Sequence, residues 1–321
     1  MTDEKQPLIV LAGPTASGKT GLSLRLASAV GGAIVSADSM QIYKELDIGS
    51  AKILPEERQG IPHYLIDVLE PEEPFHVAKF QKMAREAVEK IRMDGRVPIL
   101  TGGTGFYIQA VVRDIDFSES SGASETRRRL EEIAGRKGPE YLHALLKEKD
   151  PEAAEEIHAH NVRRVIRALE YHEQTGMPIS EHNRIQRRKD SVYRLYYFVL
   201  TDDRKRLYEQ IDRRVDSMME KGLEKEVRTL YEKGLTESHS SMKGIGYKEF
   251  FPYFRGERTL DETVDLIKRN TRHYAKRQLT WFRREPDVIW IDKASFGYSE
   301  DAILRYMTDR IGLKKEQEKN G

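Results

Sequence analysis

Eight residues near the start, Gly13-Pro14-Thr15-Ala16-Ser17-Gly18-Lys19-Thr20, constrain the fold of this chain more than any other segment. They match the pattern G-x-x-x-x-G-K-S/T, and the segments on either side give the pattern its meaning. Before it, Leu8-Ile9-Val10-Leu11-Ala12 is a short continuous apolar run, as in a strand buried on both faces of a parallel sheet. After it, Leu22, Leu26 and Ala29 share one face of a helical stretch from Gly18 to Val30. Strand, glycine turn and helix in that order make a phosphate cradle. Gly13 and Gly18 let the backbone approach an anion, successive N–H groups converge on its oxygens, and the helix adds its positive end. Lys19 brings a cation to the terminal phosphate, and Thr20 offers a hydroxyl to Mg2+. All eight residues are candidates for holding a substrate diphosphate or triphosphate.

The α/β pattern continues. Ala33-Ile34-Val35-Ser36 is a second buried strand, ending at Ala37-Asp38-Ser39-Met40-Gln41. Ligands of open α/β sheets sit beyond the carboxyl ends of the strands, so Asp38 is expected to face the phosphates as a base or metal ligand, or else to cap a turn. His63 to Val68 reads as a third strand, with Asp67 either in the site or serving a loop. A helix over Val77 to Met93 leads to a strand at Val97 to Leu100 and a second glycine turn, Thr101-Gly102-Gly103-Thr104-Gly105. Many phosphate-loop ATPases carry a carboxylate at the end of such a strand to organise metal and water. Thr101 stands there instead, which argues against nucleotide hydrolysis.

From about Asp116 to Asp190 the strands give way to charged helical segments. Val192 to Leu200 then returns to strand character, followed by helices over Arg204 to Lys221, Leu223 to Glu232 and Asp261 to Arg284 and a last strand at Asp287 to Asp292. The expected architecture is α/β: a P-loop NTPase-like parallel sheet flanked by helices, with an inserted small all-helical domain. Residues 1–115 and 191–321 form the core and 116–190 the insertion. At 38% hydrophobic residues the chain can fill a sizeable core, and no apolar run approaches the length of a membrane span. Without cysteine it has neither disulfides nor thiolate metal sites, and its polar N-terminus lacks the basic start of a secretory signal, so a cytoplasmic protein is expected. A net charge of +1 selects no partner by itself, but Arg184 to Lys189 and Lys268 to Arg284 are basic tracts. The polar tail after Ile311 is expected to fray.

In sequence order, these segments resemble the tRNA dimethylallyltransferases, also called tRNA isopentenyltransferases, from Leu8 to about Asp292. The resemblance rests on the phosphate loop, Ser36 to Tyr43, His63 to Asp67, Gly102 to Tyr107, Arg164 to Glu170, Gly244 to Glu249 and Tyr274 to Phe282. It implies transfer of a dimethylallyl group from dimethylallyl diphosphate to N6 of adenosine at tRNA position 37, with Mg2+ as cofactor and the phosphates as leaving group. By that resemblance Thr15 and Asp38 meet the adenine, Asp38 takes the N6 proton, and Lys19 stabilises the diphosphate. Arg213, and less closely Arg214, match an arginine region near the donor. The positions matching tRNA contacts are Asp38, Ser39, Met40, Gln41, Thr104, Arg127, Arg163, Arg164 and Arg167, and the insertion would grip the anticodon stem-loop. The chain looks like the shorter bacterial form, without the zinc finger of eukaryotic members, acting as a monomer. Three other readings remain: a phosphate-loop kinase, a transferase acting on free adenine nucleotides, and a non-catalytic RNA-binding protein.

Overall fold

The computed structural model describes residues 5–117 and 125–312, so the tail expected to fray lies outside the described residues apart from Gly312. The first part contains β1 (Pro7–Ala12), α1 (Lys19–Val30), β2 (Gly32–Ser36), β3 (His63–Tyr64), α2 (Val77–Met93), β4 (Val97–Gly102) and α3 (Gly105–Val112). Helices α4 (Glu125–Lys137), α5 (Pro139–Lys149), α6 (Pro151–Glu156), α7 (Val162–Thr175) and α8 (Ile179–Arg188) follow. The chain then forms β5 (Arg194–Thr201), α9 (Arg204–Glu220), α10 (Leu223–Glu232), α11 (Phe250–Phe254), α12 (Leu260–Phe282), β6 (Val288–Asp292) and α13 (Glu300–Ile311).

The six strands make one parallel sheet in the order β3-β2-β4-β1-β5-β6. The continuous apolar run of β1 takes the interior position between β4 and β5, where both faces are covered. Its residues alternate between two cores. Leu8, Val10 and Ala12 pack with side chains from α2, α3, α10 and α12. Ile9 and Leu11 pack with Leu22 and Leu26 of α1 and with Ile303, Met307 and Ile311 of α13. This is the P-loop NTPase-like α/β fold, and it puts the eight-residue loop at the carboxyl end of an interior strand.

The chain divides into two compact units, Met1–Val112 with Tyr193–Gly321, and Arg113–Val192. The second unit is all helical among its described residues, with a core of its own built from Leu130, Leu142, Leu146, Val165 and Leu169. Two expected strands end elsewhere. The third stops at Tyr64 because Leu65 and Asp67 take positive φ (63° and 58°), which a ladder does not accommodate. The strand read as ending at Thr101 continues to Gly102. Helix α13 carried no expectation, though it completes one face of the sheet. Among the described residues no helix is long and apolar enough to cross a membrane.

Candidate active site

The loop after β1 takes the form its composition requires. Gly13 (φ 147°) lies so close to the Leu200 carbonyl that a Cβ would stand 2.9 Å from that oxygen, and Gly18 (φ 88°) precedes α1 in a left-handed conformation. The first amides of α1 thus open onto the cleft beside Lys19 and Thr20. Lys19 Nζ donates to the Pro14 carbonyl at 2.6 Å. Its ammonium is enclosed, and burial, reinforced by the nearby Arg214 charge, lowers its pKa to about 7 against the opposing pull of Asp38. Burial also lowers the pKa of the Arg214 guanidinium, again opposed by Asp38. Two crowded cations facing one carboxylate suit an anion with more than one charge.

Arg214, on α9, donates to Thr15 Oγ1 at 3.4 Å. Arg213, the neighbour favoured from the sequence, is 73% exposed and leans back on Glu209, although it lines the cleft beside the loop. The helix turns about 100° per residue, so only one of two adjacent arginines can face the loop closely. Arg206, near the start of α9, is committed to Asp202 and to the ring of Tyr298.

Asp38 stands two residues past the end of β2, after Ala37. Its Oδ1 accepts from the Met40 N–H at 2.8 Å and the Gln41 N–H at 3.4 Å, so the capping role is real. No hydrogen bond among the described residues engages Oδ2, which leaves one carboxylate oxygen for chemistry. Asp38, Thr15, Lys19, Thr20 and Arg214 line a single cleft of about 450 Å3 together with Ser39, Met40 and Gln41. The same lining includes Ile211, Val215 and Met218, which flank Arg214 on one face of α9, and Ile245 and Ile267. The lining is thus part charged, with Lys243, Lys248 and Arg277 also on it, and part apolar.

The loop after Asp38 is braced along its length. Gln41 spans Ser36 Oγ and the carbonyls of Ser50 and Ala51. The buried Lys52 ammonium donates to the Tyr43 carbonyl, Asp47 and Asp67, which gives Asp67 its loop role. Glu226 of α10 accepts from the successive amides of Asp47, Ile48 and Gly49 and from the Tyr247 hydroxyl. These braces carried no sequence expectation. Their only trace is Gly49, where a Cβ would overlap the Tyr247 ring.

Thr104 sits at the start of α3, where its carbonyl accepts from Tyr107 and Ile108 and its side chain meets the Tyr274 phenol. Burial, helped by Asp38, raises the Tyr274 pKa to about 12, so the phenol stays protonated. In the helical unit Arg127 pairs at 2.6 Å with the fully buried Glu170, which Arg167 approaches at 3.8 Å. Arg163 and Arg164 are exposed and form no ion pair among the described residues. Two cations of the C-terminal basic tract are neutralised between helices, Lys268 by Asp216 and Arg272 by Asp212, both at 2.5 Å.

Thr20 lines both clefts beside the loop, and its hydroxyl forms no hydrogen bond among the described residues. With Asp38 in the same cleft the donor set is all oxygen, which fits Mg2+ held mainly by substrate phosphates and water. Among the described residues no cluster of three or more His, Cys, Asp or Glu forms a self-sufficient metal site.

A family model described as IPP transferase matches residues 41–285. A tRNA dimethylallyltransferase of Lachnoclostridium phytofermentans is 54% identical over 98% of this chain and 99% of its own. The crystal structure of a tRNA delta(2)-isopentenylpyrophosphate transferase from Staphylococcus epidermidis is 38% identical, with a TM-score of 0.71 over 97% of this chain and 100% of that one. A eukaryotic dimethylallyltransferase acting on tRNA is 28% identical, with a TM-score of 0.82 over 98% of this chain and 81% of that one. With the family model spanning most of its length and a relative matching it almost end to end, the chain belongs to the IPP transferase family of tRNA dimethylallyltransferases.

Proposed function

We propose that this chain transfers a dimethylallyl group from dimethylallyl diphosphate to N6 of adenosine 37 of tRNA, releasing diphosphate. The observation that carries the reading is the mixed lining of the cleft, charged and apolar side chains together. Lys19, Thr20 and Arg214 with the loop amides suit a diphosphate, and the apolar side chains that flank Arg214, Ile211, Val215 and Met218, suit a five-carbon chain. Asp38 lies on the same cleft with one oxygen uncommitted.

In the reaction the N6 lone pair forms a bond to the allylic C1 while the C1–O bond breaks, and that electron pair leaves with the diphosphate. Lys19, Arg214 and the amides of residues 18–20 stabilise the departing charge. The N6 proton passes to Asp38 Oδ2, because an aromatic amine is a weak nucleophile and needs its base during attack. Thr15, in contact with Arg214, orients the reacting ends. Mg2+, when bound, offsets diphosphate charge, with Thr20 as its protein ligand. Arg213 lies farther out and plays an outer electrostatic part. The target base must leave its stack to enter the cleft. Ser39, Met40, Gln41 and Thr104 are its expected neighbours, and Arg163 and Arg164 of the helical unit are expected to hold stem-loop phosphates. The reading includes a monomer acting in the cytoplasm, where its RNA acceptor is made.

The test is to incubate the protein with unmodified tRNA, Mg2+ and dimethylallyl diphosphate, then digest the RNA and weigh its nucleosides. Prenylated adenosine is the expected product. Its absence with folded protein and competent tRNA overturns the reading.

A further inference from the structure

Gly103 and Gly105 have no left-handed backbone to explain them. Their cause lies on α12. A Cβ on Gly103 would overlap Nε2 of Gln278, and one on Gly105 would overlap the indole of Trp281. The second glycine turn is therefore shaped to receive a helix, and the residue that reaches deepest is a buried carboxamide. Gln278 Oε1 accepts from the Thr15 N–H at 2.9 Å, and Nε2 donates to the Gly103 carbonyl at 2.9 Å.

One planar group thus ties the first turn to the second. Thr15 belongs to the diphosphate loop, and Thr104, the residue after Gly103, has its side chain against Tyr274 one helical turn before Gln278. A carboxamide combines a donor and an acceptor a fixed distance apart without bringing charge into a site already holding Lys19, Arg214 and Asp38. We propose that Gln278 is a positioning residue for prenyl transfer, its carboxamide setting the separation between the turn that holds the leaving diphosphate and the turn that faces the acceptor base. The inference rests on the donor and acceptor assignment above. Gln278 touches neither reacting atom and acts through Thr15 and Gly103.

Gln278→Glu separates this role from simple packing. It keeps the oxygen that accepts from Thr15 and replaces the donor to Gly103 with a second acceptor, so the bridge opens on one side while shape is conserved. Once protonated, the new acid donates again, and burial against a carbonyl raises the pKa at which this happens. Single-turnover rate constants are measured at saturating tRNA and dimethylallyl diphosphate and divided by the wild-type value at each pH. The ratio is expected to be down by about 10- to 100-fold near about pH 8 and to climb toward one as pH falls to about 5.5. Gln278→Leu, which loses both bonds, is expected to show the deficit at every pH. Inorganic diphosphate, titrated by calorimetry near about pH 5.5 where the new acid is neutral, is expected to bind Gln278→Glu within about threefold of wild type, because the Thr15 bond persists. A ratio near one throughout, or a deficit flat with pH in Gln278→Glu, overturns the proposal. So does a loss of diphosphate affinity beyond that in the neutral variant, which would confine the residue to the first turn. If Gln278→Leu fails to fold, the pH dependence of Gln278→Glu decides alone. Wild-type protein without prenylated product fails the functional reading and this inference with it, whereas an active wild type with a flat ratio fails this inference only.

Discussion

Asp38 divides its two oxygens between structure and chemistry, and that division makes its substitution informative. Asn in its place keeps an oxygen for the Met40 and Gln41 amides and loses the base. Asp38→Asn is expected to lower the single-turnover rate by about 100-fold or more, with inorganic diphosphate binding nearly unchanged. A rate within a few-fold of wild type would remove Asp38 from the proton path. Lys19 carries a second expectation. Its pKa near 7 reflects burial and Arg214, and an arriving diphosphate favours the charged form. Below about pH 6 the ammonium is already protonated, so binding takes up no proton there; above about pH 7 binding draws one in, and affinity falls as pH rises. Calorimetry in buffers of different ionisation enthalpy measures that uptake directly. Arg214→Ala is expected to weaken diphosphate by about 10- to 100-fold, the worth of a buried charge-assisted contact, and Arg213→Ala by about twofold or less. At this scale the sequence is legible where a site is contiguous. Residues 13–20 identify themselves because their spacing is the motif. The choice between Arg213 and Arg214 is not legible, because it depends on the rotation of α9 about its axis, which packing settles.

Among the elements, the glycines separate what a sequence displays from what it conceals. Gly103 and Gly105 are plain to see, but their cause lies more than 170 residues away on α12, whereas Gly102 is crowded by the backbone of Ala37. Gly103→Ala and Gly105→Ala are expected to destabilise the protein by about 1–3 kcal/mol through overpacking against Gln278 and Trp281. Gly135→Ala tests the converse. That glycine lies exposed within α4 with no atom within 4 Å of an added Cβ, so alanine is expected to stabilise by about 0.5–1 kcal/mol. Thermal or urea unfolding reads both signs, and equal effects at the two kinds of site would refute the steric account. The same limit explains the misread strand at residues 63–68. Its composition suits a strand, yet Asp67 is drawn into a loop by Lys52 and by the Gln41 carbonyl, contacts that no local pattern announces. Long amphipathic segments such as α2 were legible to the residue, since period and length leave one solution.

Across the whole molecule, a net charge of +1 means that RNA affinity must come from local charge, and the ion pairs indicate which arginines are available. In the helical unit Arg127 and Arg167 compensate Glu170, whose carboxylate is fully buried. Neutralising Arg127 removes the guanidinium that pairs with that charge at 2.6 Å, so Arg127→Ala is expected to cost about 1–3 kcal/mol of stability, less than for a fully buried pair because Arg127 is itself partly exposed. Arg163 and Arg164 hold no such duty, and their removal reports on RNA alone. Arg163→Gln with Arg164→Gln is expected to leave the unfolding midpoint within a degree or two and to weaken tRNA binding. If both contact phosphates, the slope of log affinity against log salt falls by about 1.4–1.8. Every residue assigned to the diphosphate lies in the other unit, so inorganic diphosphate should bind this double variant as it binds wild type. The pattern that would defeat this division of labour is a double variant with an unchanged salt slope, because the stem-loop would then be held by some other surface.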